Sequence, residues 1–209
     1  MSHPLDLARG SSVFNKKQEN DLEISRAIFH MMAPFAVTLL ALKVFGLRFL
    51  PTALVIFCIF EKIRLDSEPF HNFAVKWFGF LMSPQERVWP SKLFSVIPML
   101  VGLTLVSPFT SGSNILYLVA ALSLGDPMAR IMGKTYGKAI KLPWTPDKTA
   151  VGFMTIWAVS ASLAYLWGFW SEVVVLVSLS IAVAESIGSR EHWYTDDNLL
   201  VPIFAIWFL

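Results

Sequence analysis

The sequence predicts an all-α protein: a polytopic transmembrane bundle of about seven membrane helices, with its chemistry in loops on the cytoplasmic side. Three observations carry this reading. Of 209 residues, 55% are hydrophobic and only 15% are charged, too little charge to cover the surface of a soluble domain of this size. The apolar residues come in blocks, at 27–42, 49–60, 93–106, 115–124, 150–170, 173–184 and 199–209, with charges between them. If the blocks cross alternately, all of the 17 Lys and Arg except Lys43 and Arg48 fall on one side, which the positive-inside rule makes cytoplasmic.

A net charge of +2 is too small to point to nucleic acid, so where the charges sit matters more than their sum. The first 24 residues are polar and mixed in charge, without the charged and apolar regions of a cleaved signal. They are expected to form a cytoplasmic tail. Residues 25–209 contain no internal repeat, low-complexity segment or long flexible linker and read as one integral-membrane catalytic domain. Several blocks are shorter than the roughly 20 residues of a span. Either some are partial spans, or the helices continue into polar segments that line a protein-enclosed, watered cavity, because lipid cannot satisfy such groups.

The first block opens with Arg26 and His30, four apart and therefore on one helical face. A snorkelling arginine and a headgroup-level histidine account for both. The second block holds Cys58, expected to be a small buried hydrophobe, and ends at Glu61 and Arg64, whose spacing fits a helix-end ion pair. In the loop that follows, Phe70, Phe73, Ala74, Trp77, Phe80 and Leu81 recur at helical spacing, so a short helix is expected in the cytoplasmic interface.

The block at 115–124 runs into "LSLGDPMARIMGKTYGKAIKLPWTPDKT". Asp126 and Arg130 share a helical face, and Gly133, Lys134, Gly137 and Lys138 follow. Glycines permit close backbone approach, Lys and Arg neutralise phosphate oxygens, and an aspartate among them suits a magnesium ion that bridges those oxygens. A charge at the bilayer centre costs roughly 2.5–3.5 kcal/mol on insertion scales, more than orientation alone requires. "GKT" at 133–135 is not a P-loop: the position of the first Walker A glycine is Met128, and no strand precedes it. Further on, Lys148 and Thr149 open the longest block, where they suit either a phosphate contact or an interfacial anchor with a helix cap. Glu185 ends the sixth block, and Asp197 and Asn198 open the seventh. The carboxylates of this segment, close to two helices, suit a divalent-metal or base site, whereas a solvated turn explains Arg190, Glu191 and Asp196 better than it explains Glu185. A transporter also keeps charges at membrane depth, but near the midplane on broken helices. Here the polar groups collect at one face, as a nucleotide meeting a lipid requires.

Taken in order, Gly125 and Asp126, Ala129, Gly133 and Gly137, then Lys148, Thr149 and Gly152, then Glu185, Asp197, Asn198 and Pro202 resemble the dolichol kinase family. That family includes the CTP-dependent diacylglycerol kinases and the phytol kinases, and many bacterial members are labelled phosphatidate cytidylyltransferase-like. The likeness extends from about Glu23 to the C-terminus, because Arg26, His30, Glu61 and Arg64 also fall where the family has such residues, in supporting positions. The resemblance implies transfer of the γ-phosphate of CTP to the hydroxyl of a membrane lipid alcohol (a polyprenol, phytol or diacylglycerol), giving a lipid phosphate and CDP. It implies magnesium at Asp126, Glu185 and Asp197, with Asp126 on the metal or accepting the hydroxyl proton. Arg130, Lys134 and Lys148 would hold phosphates. Gly125, Gly133, Gly137 and Thr149 would border the nucleotide, and Asn198 would orient a ligand. One position departs from the family: Val151 stands where relatives carry an acid before the glycine of "KTAVG".

Two other readings stay open at this point. A CTP:lipid-phosphate cytidylyltransferase would use the same magnesium and triphosphate groups, although the longer Lys-Asp and Pro-Gly-His-Gly-Gly signature of those enzymes is not found. A non-enzymatic membrane carrier would tolerate loss of charge at Asp126 and Glu185. The expected setting is an integral membrane, the plasma membrane for a bacterial chain, with the active site facing the cytoplasm.

Overall fold

The structure is a computed structural model and describes residues 31–32, 34–79, 82, 86–89, 93–137, 140–189 and 192–209. The tail, Arg26, His30, Lys138 and the start of the first apolar block lie outside these residues. Among the described residues the protein is all-α, apart from one short hairpin.

The chain enters as α1 (residues 34–45) and turns through a 3-10 segment, Gly46–Arg48, into α2 (Phe49–Asp66). Gly46 has φ +61, a left-handed conformation that a residue without Cβ reaches at little cost. The first two apolar blocks are therefore joined by a tight turn. Their side chains point mostly outward: Val37, Val44, Phe45, Val55, Ile56 and Ile59 are exposed. Cys58 shares this outward face and is exposed, not buried as its apolar neighbours suggested. Hydropathy marks a residue as compatible with an interior or with lipid, and does not distinguish the two.

α3 (Glu68–Phe78) begins at Ser67, whose Oγ accepts the Phe70 N–H at 3.5 Å, with Pro69 in the first turn. It is the short amphipathic helix expected in the second connection. His71 and Ala74 are buried, and Phe73, Trp77 and Phe78 are exposed; Phe80 and Leu81 are outside the described residues.

α4 (Val96–Val106) leads through the 3-10 turn Ser107–Phe109 to α5 (Gly112–Tyr136), capped by Ser111 Oγ on the Asn114 N–H at 3.2 Å. Residues 117–122 of α5 are buried without a break, the signature of a helix enclosed on all sides. A hairpin follows, β1 (Lys141–Leu142) antiparallel to β2 (Thr145–Thr149), then α6 (Ala150–Leu166), α7 (Ser171–Ile187) and α8 (Asp197–Ala205). α5 packs on α6, α6 on α7, α7 on α8, α8 on α4 and α4 on α2. Among the described residues, two helical stretches are long and apolar enough to cross a membrane, Pro34–Asp66, which takes α1, the 3-10 segment and α2 together, and Gly112–Tyr136. The other apolar helices are shorter than the roughly 20 residues of a span.

The helices do run on into polar sequence. α2 passes Phe60 to include Glu61, Lys62 and Arg64; α5 continues through Asp126, Arg130 and Lys134; α7 ends beyond Glu185; and α8 starts at Asp197. The polar groups in the gaps between apolar blocks are thus carried on helices, which positions them rigidly.

Candidate functional site: a carboxylate cluster bridged by lysine

α7 and the hairpin build the site together. The last four carbonyls of a helix have no partner within it. In α7, Gly188 N–H reaches Ala184 O at 3.0 Å, Lys148 Nζ donates to Glu185 O, and Thr145 Oγ1 donates to Ser186 O at 2.9 Å. Trp144 Nε1 donates to Ser186 Oγ at 3.2 Å, and that hydroxyl in turn donates to Val183 O. One edge of the hairpin therefore caps α7, with a positive charge at the helix end where the peptide dipoles favour it. The turn between the strands is Pro143 and Trp144, and proline at the first central position presets the backbone for such a turn.

The same lysine organises the carboxylates. Lys148 Nζ lies 2.8 Å from Glu185 Oε1 and 3.4 Å from Asp197 Oδ2, so its three N–H groups all face oxygen. Asp126 completes the cluster from α5: carboxylate oxygens of Asp126, Glu185 and Asp197 lie within 4.8 Å of one another. Glu185 and Asp197 are buried and Asp126 is half-buried. Arg130 pairs with Asp126 one turn on, at 3.0 Å, the contact expected from their spacing.

Local sequence explains why these groups meet. Asp196 is the N-cap of α8, its Oδ1 accepting the Asn198 N–H at 2.9 Å, which sets Asp197 in the first turn, where helix dipoles favour an anion. Ser189 N–H donates to Thr195 O at 2.7 Å, and Thr195 Oγ1 returns a bond to Ser189 O at 3.1 Å. These bonds hold the end of α7 against the start of α8. At Gly188 an added Cβ would stand 2.6 Å from that of Asp197, so only glycine permits this approach.

The remaining expected site residues are more scattered. Thr149 is the N-cap of α6, its Oγ1 accepting the Gly152 N–H at 3.1 Å. Gly133 and Gly137 press against that same hydroxyl, where a Cβ at either would collide with it. The close approach these glycines permit is thus to Thr149 of the same chain. Gly125 is buried against Ile156 of α6, and Asn198 is half-buried in the first turn of α8. Lys134 is exposed in the last turn of α5. Val151, the departure from the family pattern, sits in the first turn of α6, with its carbonyl accepting from Thr155 Oγ1.

Glu61 and Arg64 form a second polar centre. Arg64 is fully buried and bonds Glu61 in bidentate fashion at 2.6 and 2.7 Å. Its Nη1 reaches His71 Nδ1 at 3.2 Å and Glu86 O at 3.1 Å. Arginine only donates, so His71 Nδ1 accepts and Nε2–H donates to Arg87 O at 3.1 Å. Glu61 Oε1 accepts the Phe94 N–H and Glu86 Oε1 the Ser95 N–H, at 2.8 and 3.0 Å. What reads in sequence as an ion pair at a helix end is a buried hub tying α2, α3 and the entry to α4. Its other members, His71 and Glu86, carry no spacing signal that singles them out.

An all-oxygen, triply carboxylate donor set suits a hard divalent cation such as magnesium. Three clustered negative charges repel one another unless cations intervene; Lys148 and Arg130 offset two of them. The residues therefore fit the group implied by the resemblance. No protein-family model, curated protein or solved structure matches the chain.

Proposed function

We propose that the protein is a CTP-dependent lipid-alcohol kinase of the multi-pass membrane type, acting at the cytoplasmic face. The observation that carries the proposal is the convergence of Asp126, Glu185 and Asp197 from three helices under the ammonium of Lys148. The choice of CTP and of a lipid alcohol rests on the resemblance to the dolichol kinase family.

The topology supports a membrane setting. α1, α2 and α4–α8 correspond to the seven apolar blocks, and each would cross or enter the bilayer, with α3 lying in its interface. The site draws on the C-terminal halves of α5 and α7 and on the starts of α6 and α8. Consecutive antiparallel helices bring those parts to one side, the side rich in Lys and Arg. A nucleotide would arrive there from the cytoplasm, and the lipid hydroxyl laterally.

Phosphoryl transfer asks mainly for alignment and charge neutralisation. Asp126, Glu185 and Asp197 would hold magnesium, which when bound neutralises and aligns the phosphate oxygens of CTP. Lys148 would shift its N–H groups from Glu185 and Asp197 to those oxygens, with Arg130 and Lys134 on the outer phosphates. The hydroxyl oxygen of the lipid forms the new bond to the γ-phosphorus as the bond to the β,γ-bridging oxygen breaks. The hydroxyl proton passes to a carboxylate of the cluster, to Asp126 where it stays off the metal, since it is half-buried and can return the proton to water.

The test is transfer of label from [γ-32P]CTP into organic-extractable lipid by detergent-purified protein supplied with magnesium and a polyprenol, phytol or diacylglycerol. Labelled lipid from any of the three supports the reading. Release of labelled pyrophosphate on addition of a lipid phosphate would make the protein a cytidylyltransferase instead.

A further inference from the structure

We propose that Trp144 is the platform on which the base of the nucleotide stacks. This rests on the reading of the carboxylate cluster as a magnesium–phosphate site and adds what selects a nucleotide over an inorganic phosphate. The indole sits at the tip of the hairpin and stays 56% exposed, yet it is not free to swing. Its Nε1–H is bonded to Ser186 Oγ at 3.2 Å, and Ser186 follows Glu185, a member of the cluster, on α7. Thr145, the next residue, is bonded to Ser186 O, and Lys148 of the same strand bridges Glu185 and Asp197. One rigid hairpin thus presents a phosphate-binding ammonium and an immobilised aromatic face to the same end of one helix.

That combination suits a ligand with phosphates at one end and a planar ring at the other. An aromatic face contributes about 1–3 kcal/mol per stacked base, whichever base it is, and holding the ring in place beforehand reduces the ordering cost of binding. A tryptophan serving only as a headgroup-level anchor needs no bond to the residue beside the site; its ring would lie in the lipid interface whatever the state of Glu185.

The experiment is equilibrium dialysis of the full chain in detergent with magnesium, comparing CTP with inorganic tripolyphosphate, for the wild type, Trp144→Ala and Trp144→Phe. The proposal expects Trp144→Ala to weaken CTP binding roughly tenfold while tripolyphosphate binding stays unchanged, and Trp144→Phe to recover most of the loss. Unaltered CTP binding in Trp144→Ala overturns it, as do equal losses for both ligands or no recovery with phenylalanine. Wild-type protein that binds tripolyphosphate but gains nothing from the nucleoside removes the platform alone. Wild-type protein that binds neither ligand removes the phosphate site and the platform with it.

Discussion

Lys148 Nζ stands between Glu185 Oε1 and Asp197 Oδ2, at 2.8 and 3.4 Å, so one ammonium from β2 joins the end of α7 to the start of α8. Removing it leaves two buried carboxylates facing each other and the Glu185 carbonyl uncapped. Lys148→Met should therefore lower stability, by about 1.5–3 kcal/mol for the charged hydrogen bonds lost. Adding Glu185→Gln should restore part of it, and magnesium should raise the melting temperature of Lys148→Met more than that of the wild type. Thermal unfolding of the single and double variants with and without magnesium checks all three.

Asp126 should behave in the opposite way. Its partner Arg130 is substantially exposed, and such pairs contribute about 0–1 kcal/mol. Asp126→Asn should leave the melting temperature within a few degrees of the wild type and abolish label transfer from CTP. Near-normal transfer would remove Asp126 from the mechanism.

The Arg64 hub separates buried from exposed charge in one helix. Arg64→Leu leaves Glu61 buried and unpaired, and breaking such a pair costs about 3–5 kcal/mol. Lys62→Ala, two residues earlier, breaks an exposed pair with Asp66 at 2.7 Å that contributes about 0.3–0.5 kcal/mol. Denaturation of the two variants under one condition should show a several-fold difference in lost stability. Equal losses would mean that Arg64 is not buried against Glu61.

Gly137 tests the packing of α5 on the start of α6. A Cβ there collides with Thr149 Oγ1 and stands 2.7 Å from Gly133 O, so Gly137→Ala should cost about 1–3 kcal/mol. Thr149→Gly removes both the hydroxyl and the Cβ that would stand 2.7 Å from the new methyl group, and as an N-cap glycine costs roughly a few tenths of a kcal/mol. The double variant should therefore be more stable than the sum of the single losses predicts. Strict additivity in unfolding experiments would contradict the contact.

Much of the helical framework was legible in the sequence because each apolar block forms part of a helix, from α1 and α2 to α4–α8. The helical spacing of Phe70, Phe73, Ala74 and Trp77 marked α3, and the four-residue interval marked the Asp126–Arg130 pair. The hairpin was not legible. Strands of two and five residues carry no alternation to count, and Pro143 beside Trp144 reads equally as a loop. Trp144, Thr145 and Ser186 carry no sequence signal either, since their meeting depends on how the hairpin docks on α7. Asp196, which the sequence presents as part of a solvated turn, is the cap that positions Asp197. Cys58 is legible only as apolar, since an apolar neighbourhood does not say whether a side chain faces the core or the outside.

The reaction proposed for the cluster of Asp126, Glu185 and Asp197 is transfer of a phosphate from CTP to a lipid hydroxyl. The most direct test is a phosphorus NMR time course of the detergent-purified protein with CTP, magnesium and a mixed pool of lipid alcohols. CDP and lipid monophosphate should rise together, only when alcohol is present, and neither should form in Asp126→Asn. CTP left intact by the wild type under those conditions would contradict it.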